Sequence, residues 1–236
     1  MTTLFERPYK ALVIGASGAI GGAFVQAFNR DPQCQYVHAI ARSAATSGDG
    51  FDLRDPASIA KHAELAGLHG PFEIMVDATG ALVIDGAMPE KSLTQLSHEA
   101  LLNSLAINAV GPAMVLRYFS PLLASGDAIY AKLSARVGSI SDNRLGGWYG
   151  YRSAKAALNM LLQTAAIELQ RKNALLRVVA LQPGTVDSAL SKPFQGSVQN
   201  LLKPEASVQG MLQAMAKMPP SKGATFIDHQ GREIAW

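Results

Sequence analysis

The sequence predicts an α/β fold in which helices cover both faces of a parallel sheet, the doubly wound architecture. Short apolar segments of strand length alternate with amphipathic segments of helix length along the whole chain. The strand segments are almost continuously apolar, as expected when both faces of a sheet are buried. No repeat, low-complexity segment or linker divides the 236 residues. We therefore expect a single domain over residues 1–236, large enough to bury a full core.

The predicted elements follow one another in regular order. Asp55 is expected to cap the second helix, which begins at Pro56. The segment 188–203 has no regular pattern and is interpreted as a substrate-covering lid, with an ordinary surface loop as the alternative. Strands are predicted at 10–14, 36–41, 73–78, 128–133, 176–181 and 225–227, and helices at 19–30, 56–65, 98–123, 149–172 and 204–218.

Composition argues against several classes of protein. The apolar runs are far shorter than the roughly 20 residues of a membrane span, and the start MTTLFERPYK lacks a signal-peptide core, so we expect a cytoplasmic protein without a membrane partner. The net charge of +3 comes from scattered cations, which disfavours nucleic acid. Cys34 is the one cysteine and is interpreted as a buried small hydrophobe, and no Cys/His cluster suggests a metal.

A glycine-rich turn joins the first predicted strand to the first helix. Gly15, Gly18 and Gly21 let the backbone turn tightly there, and the helix N-terminus attracts phosphate. The spacing G-x-x-G-x-x-G differs from the general dinucleotide fingerprint and lacks a P-loop lysine. A dinucleotide site is the favoured interpretation, and a tight turn without ligand is the alternative.

The end of the second strand discriminates between nicotinamide cofactors. A carboxylate there would bind the adenine ribose of NAD, whereas arginine pairs with a 2′-phosphate. The chain has Arg42 and Ser43 at this point, which favours NADP(H) over NAD(H). The alternative is that Arg42 is an ordinary solvated cation.

A tyrosine and a lysine lie one helical turn apart in the helix predicted at 149–172. Tyr151 and Lys155 share a helix face, so that the ammonium can stabilise the phenolate and lower its pKa towards neutrality. Tyr149 has Ser153 at the same offset and lacks this help. This spacing predicts an acid–base pair, provided that a ligand site lies beside it.

Two further features lie near that pair. Ser134 and Ser139 follow the fourth predicted strand, where a hydroxyl could hold a carbonyl oxygen or simply cap the strand end. Pro112 has no N–H for the carbonyl of Asn108, which then needs another donor such as a water linked to Lys155. A simple helix kink is the alternative explanation for Pro112.

Taken together, five motifs resemble the short-chain dehydrogenase/reductase family over nearly the whole chain. They are GASGAIG at 15–21, DATG at 77–80, INAVGP at 107–112, YRSAK at 151–155 and PGTVDS at 183–188. The stretch SARVGSISDNRLGGWYGYRSAKAALNM is most similar to C-factor and Sniffer-like carbonyl reductases. The resemblance implies a Rossmann fold, NADP(H) as cofactor, a carbonyl or alcohol substrate, and a homodimer or homotetramer.

The resemblance also implies roles for particular residues. Tyr151 would transfer the proton, Lys155 would lower its pKa and hold the nicotinamide ribose, and Asn108 would complete a water relay, with Ser134 as the fourth catalytic residue. The implied cofactor-binding residues are Gly15, Ser17, Gly18, Ile20, Gly21, Arg42, Ser43, Asp52, Leu53, Ala78, Thr79, Gly80, Asn108, Tyr151, Lys155, Pro183, Gly184, Thr185, Val186 and Ser188. No metal is implied.

The chain departs from the family pattern in two places. The usual N-N-A-G is D-A-T-G at 77–80, which puts sheet-stabilising contacts in doubt. The family usually uses the second of two serines after this strand, but here Ala135 follows Ser134, so that Ser134, Ser139 or no hydroxyl serves. We favour Ser134. A dinucleotide-binding sensor with little turnover is the alternative function, and a sugar-nucleotide epimerase is disfavoured by the short region after Ser188.

Overall fold

Six parallel strands form one sheet in the computed structural model, which describes residues 3–42, 50–197 and 200–236. Their order is β2-β1-β3-β4-β5-β6. The strands are β1 Tyr9–Ile14, β2 Cys34–Ile40, β3 Ile74–Asp77, β4 Ile129–Leu133, β5 Arg177–Gln182 and β6 Ala224–Asp228. The predicted doubly wound α/β class is confirmed, and each predicted strand is present with its ends shifted by a few residues.

The strand order reverses between β1 and β3. From β1 the chain first adds β2 on one side and then crosses to add β3 on the other. Connections that leave two neighbouring strands in opposite directions open a crevice at their carboxyl ends, which is where open α/β sheets bind ligands. The topology therefore places a candidate site beyond Ile14 and Asp77.

Helices cover both faces of the sheet and bury two apolar cores. They are α1 Ala19–Arg30, α2 Pro56–Gly67, α3 His98–Leu105, α4 Gly111–Phe119, α5 Tyr149–Gln170 and α6 Pro204–Lys217. Phe24 of α1 and Met211 of α6 are buried on one face, and Ile59, Val115 and Leu158 of α2, α4 and α5 on the other. The predicted cap is confirmed, because the Asp55 side chain accepts a hydrogen bond from the Ala57 N–H.

The expectation of one continuous helix over 98–123 is corrected. A π-helical turn, Ala106–Val110, separates α3 from α4, and a 3₁₀ turn at Ser120–Leu122 follows α4. The Gly111 N–H bonds to the Ala106 carbonyl, one residue further back than in an α-helix. Pro112 lies in the first turn of α4, where its missing N–H costs no hydrogen bond within the helix. The proline is therefore accommodated without a sharp break in the chain.

The segment 188–203 is not wholly irregular, because a 3₁₀ helix spans Lys192–Ser197. The helical stretch His98–Leu122 is long and apolar enough to cross a membrane by length and composition alone, a test that core helices also pass. Asn108, Val115 and Phe119 of this stretch are buried within the folded chain.

Candidate functional site

The turn after β1 lies very close to the chain that leaves β3. Gly15 has a φ of +86°, and a Cβ there would come within 3.1–3.2 Å of the backbone of Ala78 and Thr79. A Cβ on Gly21 would lie 2.2 Å from the Gly15 carbonyl oxygen. Side chains at these positions would therefore push the turn and the helix apart, which is the physical reason for both glycines.

A cleft of about 400 Å³ opens beside this turn. Arg42 is exposed at one wall of the cleft. The lining comprises Gly15, Ser17, Gly18, Arg42, Gly50, Phe51, Asp52, Leu53, Ala78, Thr79, Gly80, Ala81 and Ile107. Residues predicted from four separate motifs are thus brought together in one cleft at the reversal of strand order.

Some predicted contacts lie elsewhere. Ile20 packs against the core, and Gly21 supports the turn through close packing without lining the cleft. The segment 183–188 follows β5 and pairs with Leu202 through Thr185 and Asp187. Ser43 lies outside the described residues. Sequence reasoning missed Gly50, Phe51, Ala81 and Ile107, although each lies within two residues of a predicted contact in the sequence.

No side chain of the described residues caps the N-terminus of α1. Gly18 is its N-cap residue and supplies no hydroxyl or carboxylate to the first N–H groups of the helix. Uncapped N–H groups together with the helix dipole make a ready anion site. The Gly-lined cleft and this helix terminus fit a dinucleotide diphosphate.

Tyr151 and Lys155 lie together in α5, as predicted from their spacing. The Lys155 Nζ is 5.6 Å from the centre of the Tyr151 ring, and it donates to the Leu133 carbonyl at 3.2 Å. Tyr151 is partly buried, whereas Lys155 is 2% exposed. A Cβ on Gly80 would meet Lys155 Nζ at 3.4 Å, so the lysine reaches the wall that Gly80 also forms in the cleft.

Burial changes the acidity of both groups. Burial lowers the pKa of Lys155 to about 7, the Lys132 ammonium acts in the same direction, and the Asp77 carboxylate opposes it. Burial raises the pKa of the Tyr151 phenol. Tyr151 therefore keeps its proton at neutral pH in the protein without ligand, which is the state that a general acid requires.

Asn108 is fully buried and its side chain is committed to the backbone of Ala81. Its Nδ2 donates to the Ala81 carbonyl at 2.8 Å, and its Oδ1 accepts from the Ala81 N–H at 3.0 Å. This pair of bonds ties the π-helical turn to the chain segment that lines the cleft. The relay through the Asn108 carbonyl stays a prediction.

Both candidate serines are buried and hydrogen-bonded within the protein. The Ser134 hydroxyl donates to Asn159 Oδ1 at 2.7 Å, and the Ser139 hydroxyl accepts from the Asp142 N–H at 3.0 Å. Ser134 must exchange Asn159 for a substrate oxygen before it can bind one. The assignment of the fourth catalytic residue stays a prediction, with Ser134 favoured from sequence.

An aromatic contact connects the predicted lid to Tyr151. Trp148 adopts a left-handed backbone conformation with φ 52°, unusual for a bulky residue, directly before α5. Its ring lies 5.0 Å from Phe194 in the lid and 6.3 Å from Tyr151, centre to centre, with edge-to-face geometry in both contacts. A small cavity of about 30 Å³, lined by Leu82, Met88 and other residues of the 82–90 segment, lies on another side of Tyr151.

A family model described as short chain dehydrogenase matches residues 9–198. The matched range includes the glycine turn, Tyr151 and Lys155, and it spans most of the chain. The chain belongs to the short-chain dehydrogenase family. The fold and the arrangement of its site therefore agree with the resemblance found in the sequence.

Relatives of this short-chain dehydrogenase include the two kinds predicted from its motifs. It is 29% identical to the C-signal of Myxococcus xanthus over 168 residues, which cover 71% of this chain and 94% of the relative. The carbonyl reductase Sniffer of D. melanogaster has the same fold, with a TM-score of 0.82 and 22% identity over 98% of this chain and 100% of that one.

Several similar structures were solved with a nicotinamide cofactor. A short-chain dehydrogenase/reductase from Burkholderia multivorans with bound NADP is 25% identical, with a TM-score of 0.80 over 98% of this chain and 100% of that one. This likeness supports a nicotinamide dinucleotide as the cofactor of this short-chain dehydrogenase.

Gly21→Ala should abolish or strongly weaken dinucleotide binding. The added methyl group would lie against the Gly15 carbonyl and must displace the turn that carries Gly15 and Gly18. We expect the dissociation constant for NADPH, measured by fluorescence titration, to rise by at least about tenfold. Gly67→Ala in α2 is the matched control, because its Cβ would meet only the flexible Leu122 side chain at 3.4 Å. Equal affinities of the two variants would contradict the close-packing argument.

Proposed function

We propose that this oxidoreductase is an NADP(H)-dependent carbonyl reductase in which Tyr151 transfers the proton. The observation that carries the proposal is the Lys155 ammonium 5.6 Å from the centre of the Tyr151 ring, beside a glycine-lined cleft. Neither a cleft nor a Tyr–Lys pair alone would specify this chemistry. Their meeting at the carboxyl ends of β3 and β4 supports hydride transfer to a carbonyl carbon.

The lining of the cleft suits the adenine and diphosphate part of the cofactor. The uncapped α1 N-terminus and Gly15 would hold the diphosphate, Asp52 and Leu53 the adenine, and Arg42 a 2′-phosphate. Ala78 to Gly80 would pass beside a ribose, and Lys155 would bond to the nicotinamide ribose. The segment 183–188 would complete the nicotinamide end. Bound NADPH supplies the hydride.

The side chains account for the proton that must accompany the hydride. As the carbonyl carbon accepts hydride, its oxygen takes the proton from Tyr151 Oη, and the resulting phenolate is stabilised by the Lys155 ammonium. The phenol recovers a proton from solvent, for which Lys155 and a water at the Asn108 carbonyl provide a path. The substrate would occupy the space between Trp148 and the cavity lined by the 82–90 segment.

A dinucleotide-binding sensor is the second candidate. The hydrogen bond that the Ser134 hydroxyl donates to Asn159 favours it, because this hydroxyl is not free to donate to a substrate oxygen. NADPH oxidation measured against a panel of aldehydes, ketones, quinones and pterins separates the two functions. NADPH binding without turnover on any member would support the sensor.

We also expect a cytoplasmic homodimer or homotetramer. Apolar side chains are exposed on the helices that cover one face, among them Leu102 on α3 and Met160 and Ile167 on α5. Such side chains suit contact with a second copy.

Tyr151→Phe should lower kcat for carbonyl reduction by roughly 10²- to 10⁴-fold, because the proton donor is lost. NADPH affinity should stay within about threefold of the parent protein, since the phenol is proposed to act on the substrate. Tyr149→Phe is the matched control and should keep its activity, as its neighbour at the same offset is Ser153. Near-normal turnover of the Tyr151 variant would refute the mechanism.

The two reaction directions should respond differently to pH. Reduction needs the protonated phenol, and burial raises the pKa of Tyr151 above its ordinary value, so the reduction rate should stay level up to about pH 10. Alcohol oxidation needs the phenolate, so its rate should rise over the same range. Measurement of kcat/KM in both directions from about pH 6 to 10 checks this. An oxidation rate that falls with increasing pH would contradict the assignment.

Arg42→Ala should weaken NADPH by about 10- to 100-fold and leave NADH within about threefold, because a charged hydrogen bond to the 2′-phosphate is lost. The control is Arg54→Ala, since Arg54 lies near the cleft but pairs with Asp85 at 2.7 Å. Arg54→Ala should change the affinities for NADPH and NADH by the same factor. If Arg42→Ala also weakens the binding of NADPH and NADH by the same factor, Arg42 has no role in cofactor choice.

A further inference from the structure

A charged pair is fully buried in the sheet directly below the site. Lys132 near the end of β4 and Asp77 at the end of β3 are neighbours in the strand register, and both are 0% exposed. Their side chains meet at 3.0 Å, between Lys132 Nζ and Asp77 Oδ1. Asp77 is the first residue of the D-A-T-G segment that departs from the family pattern.

The pair also holds the chain that lines the cleft. Lys132 Nζ donates to the Thr79 carbonyl at 2.6 Å and to the Thr79 hydroxyl at 3.1 Å. Asp77 Oδ1 accepts from the Thr79 N–H at 2.9 Å. Thr79 and the following Gly80 both line the cleft, so one buried ammonium fixes the backbone that the dinucleotide would contact.

Stability alone does not account for such a pair. Burying two charges costs so much desolvation free energy that apolar side chains of similar size are commonly as stable or more so. The Asp77 carboxylate also lies beside the buried Tyr130 hydroxyl, and burial together with that negative charge raises the pKa of the Tyr130 phenol. A role at the neighbouring site explains the presence of the pair better.

The charge of Lys132 also acts on Lys155. Lys155 Nζ is bonded to the carbonyl of Leu133, the residue after Lys132, so the two ammonium groups approach the same strand end. The charged and titratable groups around this point are Asp77 and Tyr130 from the sheet and Tyr151 and Lys155 from α5. Lys132 lowers the pKa of Lys155 more strongly than Asp77 raises it.

We propose that Lys132 and Asp77 form a positioning pair for this active site, anchoring Thr79 and Gly80 against the cofactor and placing a second fixed positive charge beneath Lys155. This rests on the proposed function of Tyr151 and Lys155. Lys132 touches neither substrate nor cofactor. It acts through the Thr79 backbone and through the field that it exerts on Lys155 and Tyr151.

The decisive test compares two single variants that remove opposite charges. Removing the cation in Lys132→Met favours protonation of the Tyr151–Lys155 pair, so the alcohol-oxidation profile should move to higher pH by about half a unit or more. Removing the anion in Asp77→Asn should move it to lower pH. Shifts of opposite sign support the proposal, whereas shifts of equal sign, or no shift in either variant, overturn it.

A neutral double variant covers the case in which a lone buried charge prevents folding. Asp77→Asn with Lys132→Asn removes both charges and shortens the group that reaches Thr79. We expect it to fold and to bind NADPH about tenfold more weakly, because the group that anchors the Thr79 backbone is shortened. Unchanged NADPH affinity in this variant would overturn the proposal.

The matched control is a second buried cation in the same sheet. Arg177 at the start of β5 is 6% exposed and pairs with Asp127. This pair lies at the amino ends of the strands, whereas the cleft lies at their carboxyl ends. Arg177→Met should lower stability but leave the pH profile and NADPH affinity unchanged. If it shifts either one as Lys132→Met does, the effect is general loss of structure and the proposal fails.

Two readouts that need no turnover separate this proposal from the proposed function. NADPH affinity is measured by fluorescence, and ionisation of Tyr151 in the NADP-loaded protein is followed by NMR of carbon-13-labelled tyrosine, assigned with Tyr151→Phe. If the parent protein reduces no carbonyl, the proposed function fails, yet the opposite shifts of Tyr151 ionisation in the single variants should persist. If turnover is present and those shifts are absent, only the positioning pair is refuted.

Discussion

The close approach of two backbone segments at the carboxyl edge of the sheet is the constraint on which the rest of the site depends. Gly15 leaves room for Ala78 and Thr79, and Gly21 leaves room for Gly15. With these contacts the turn after β1 and the chain after β3 form one wall of the cleft. A wall made mainly of backbone presents N–H groups to a ligand at fixed positions, as phosphate recognition requires.

The second requirement of the site is a positively charged group that is buried away from water. Lys155 is buried, and its nitrogen keeps a carbonyl partner in Leu133. Burial and the nearby Lys132 disfavour the charged form of Lys155 in the protein without ligand. The anionic groups of a dinucleotide would restore that charge on binding. Under the proposed function, the acid–base strength of Tyr151 would in this way depend on whether the cofactor is bound.

The segments that surround Tyr151 differ in how firmly they are held. Asn108 fixes the chain at Ala81 with two hydrogen bonds. Phe194 of the predicted lid, in contrast, meets Trp148 through an edge-to-face ring contact. A ring contact of this kind exchanges more easily than the two hydrogen bonds between the Asn108 side chain and the Ala81 backbone. Under the proposed function, the wall at Ala81 would be preorganised for the cofactor, whereas the side at Trp148 and Phe194 would adapt to the substrate.

The sequence by itself determined the features that depend on near neighbours in the chain. Alternation of strands and helices, the glycine turn, the Asp55 cap and the Tyr151–Lys155 spacing are all local patterns, and they were predicted correctly as structure. Tertiary structure alone decided the bond between Lys132 and Asp77, the commitment of Ser134 to Asn159 and the π-helical turn before Pro112. Those depend on strand register and on packing between distant segments, which no local periodicity encodes.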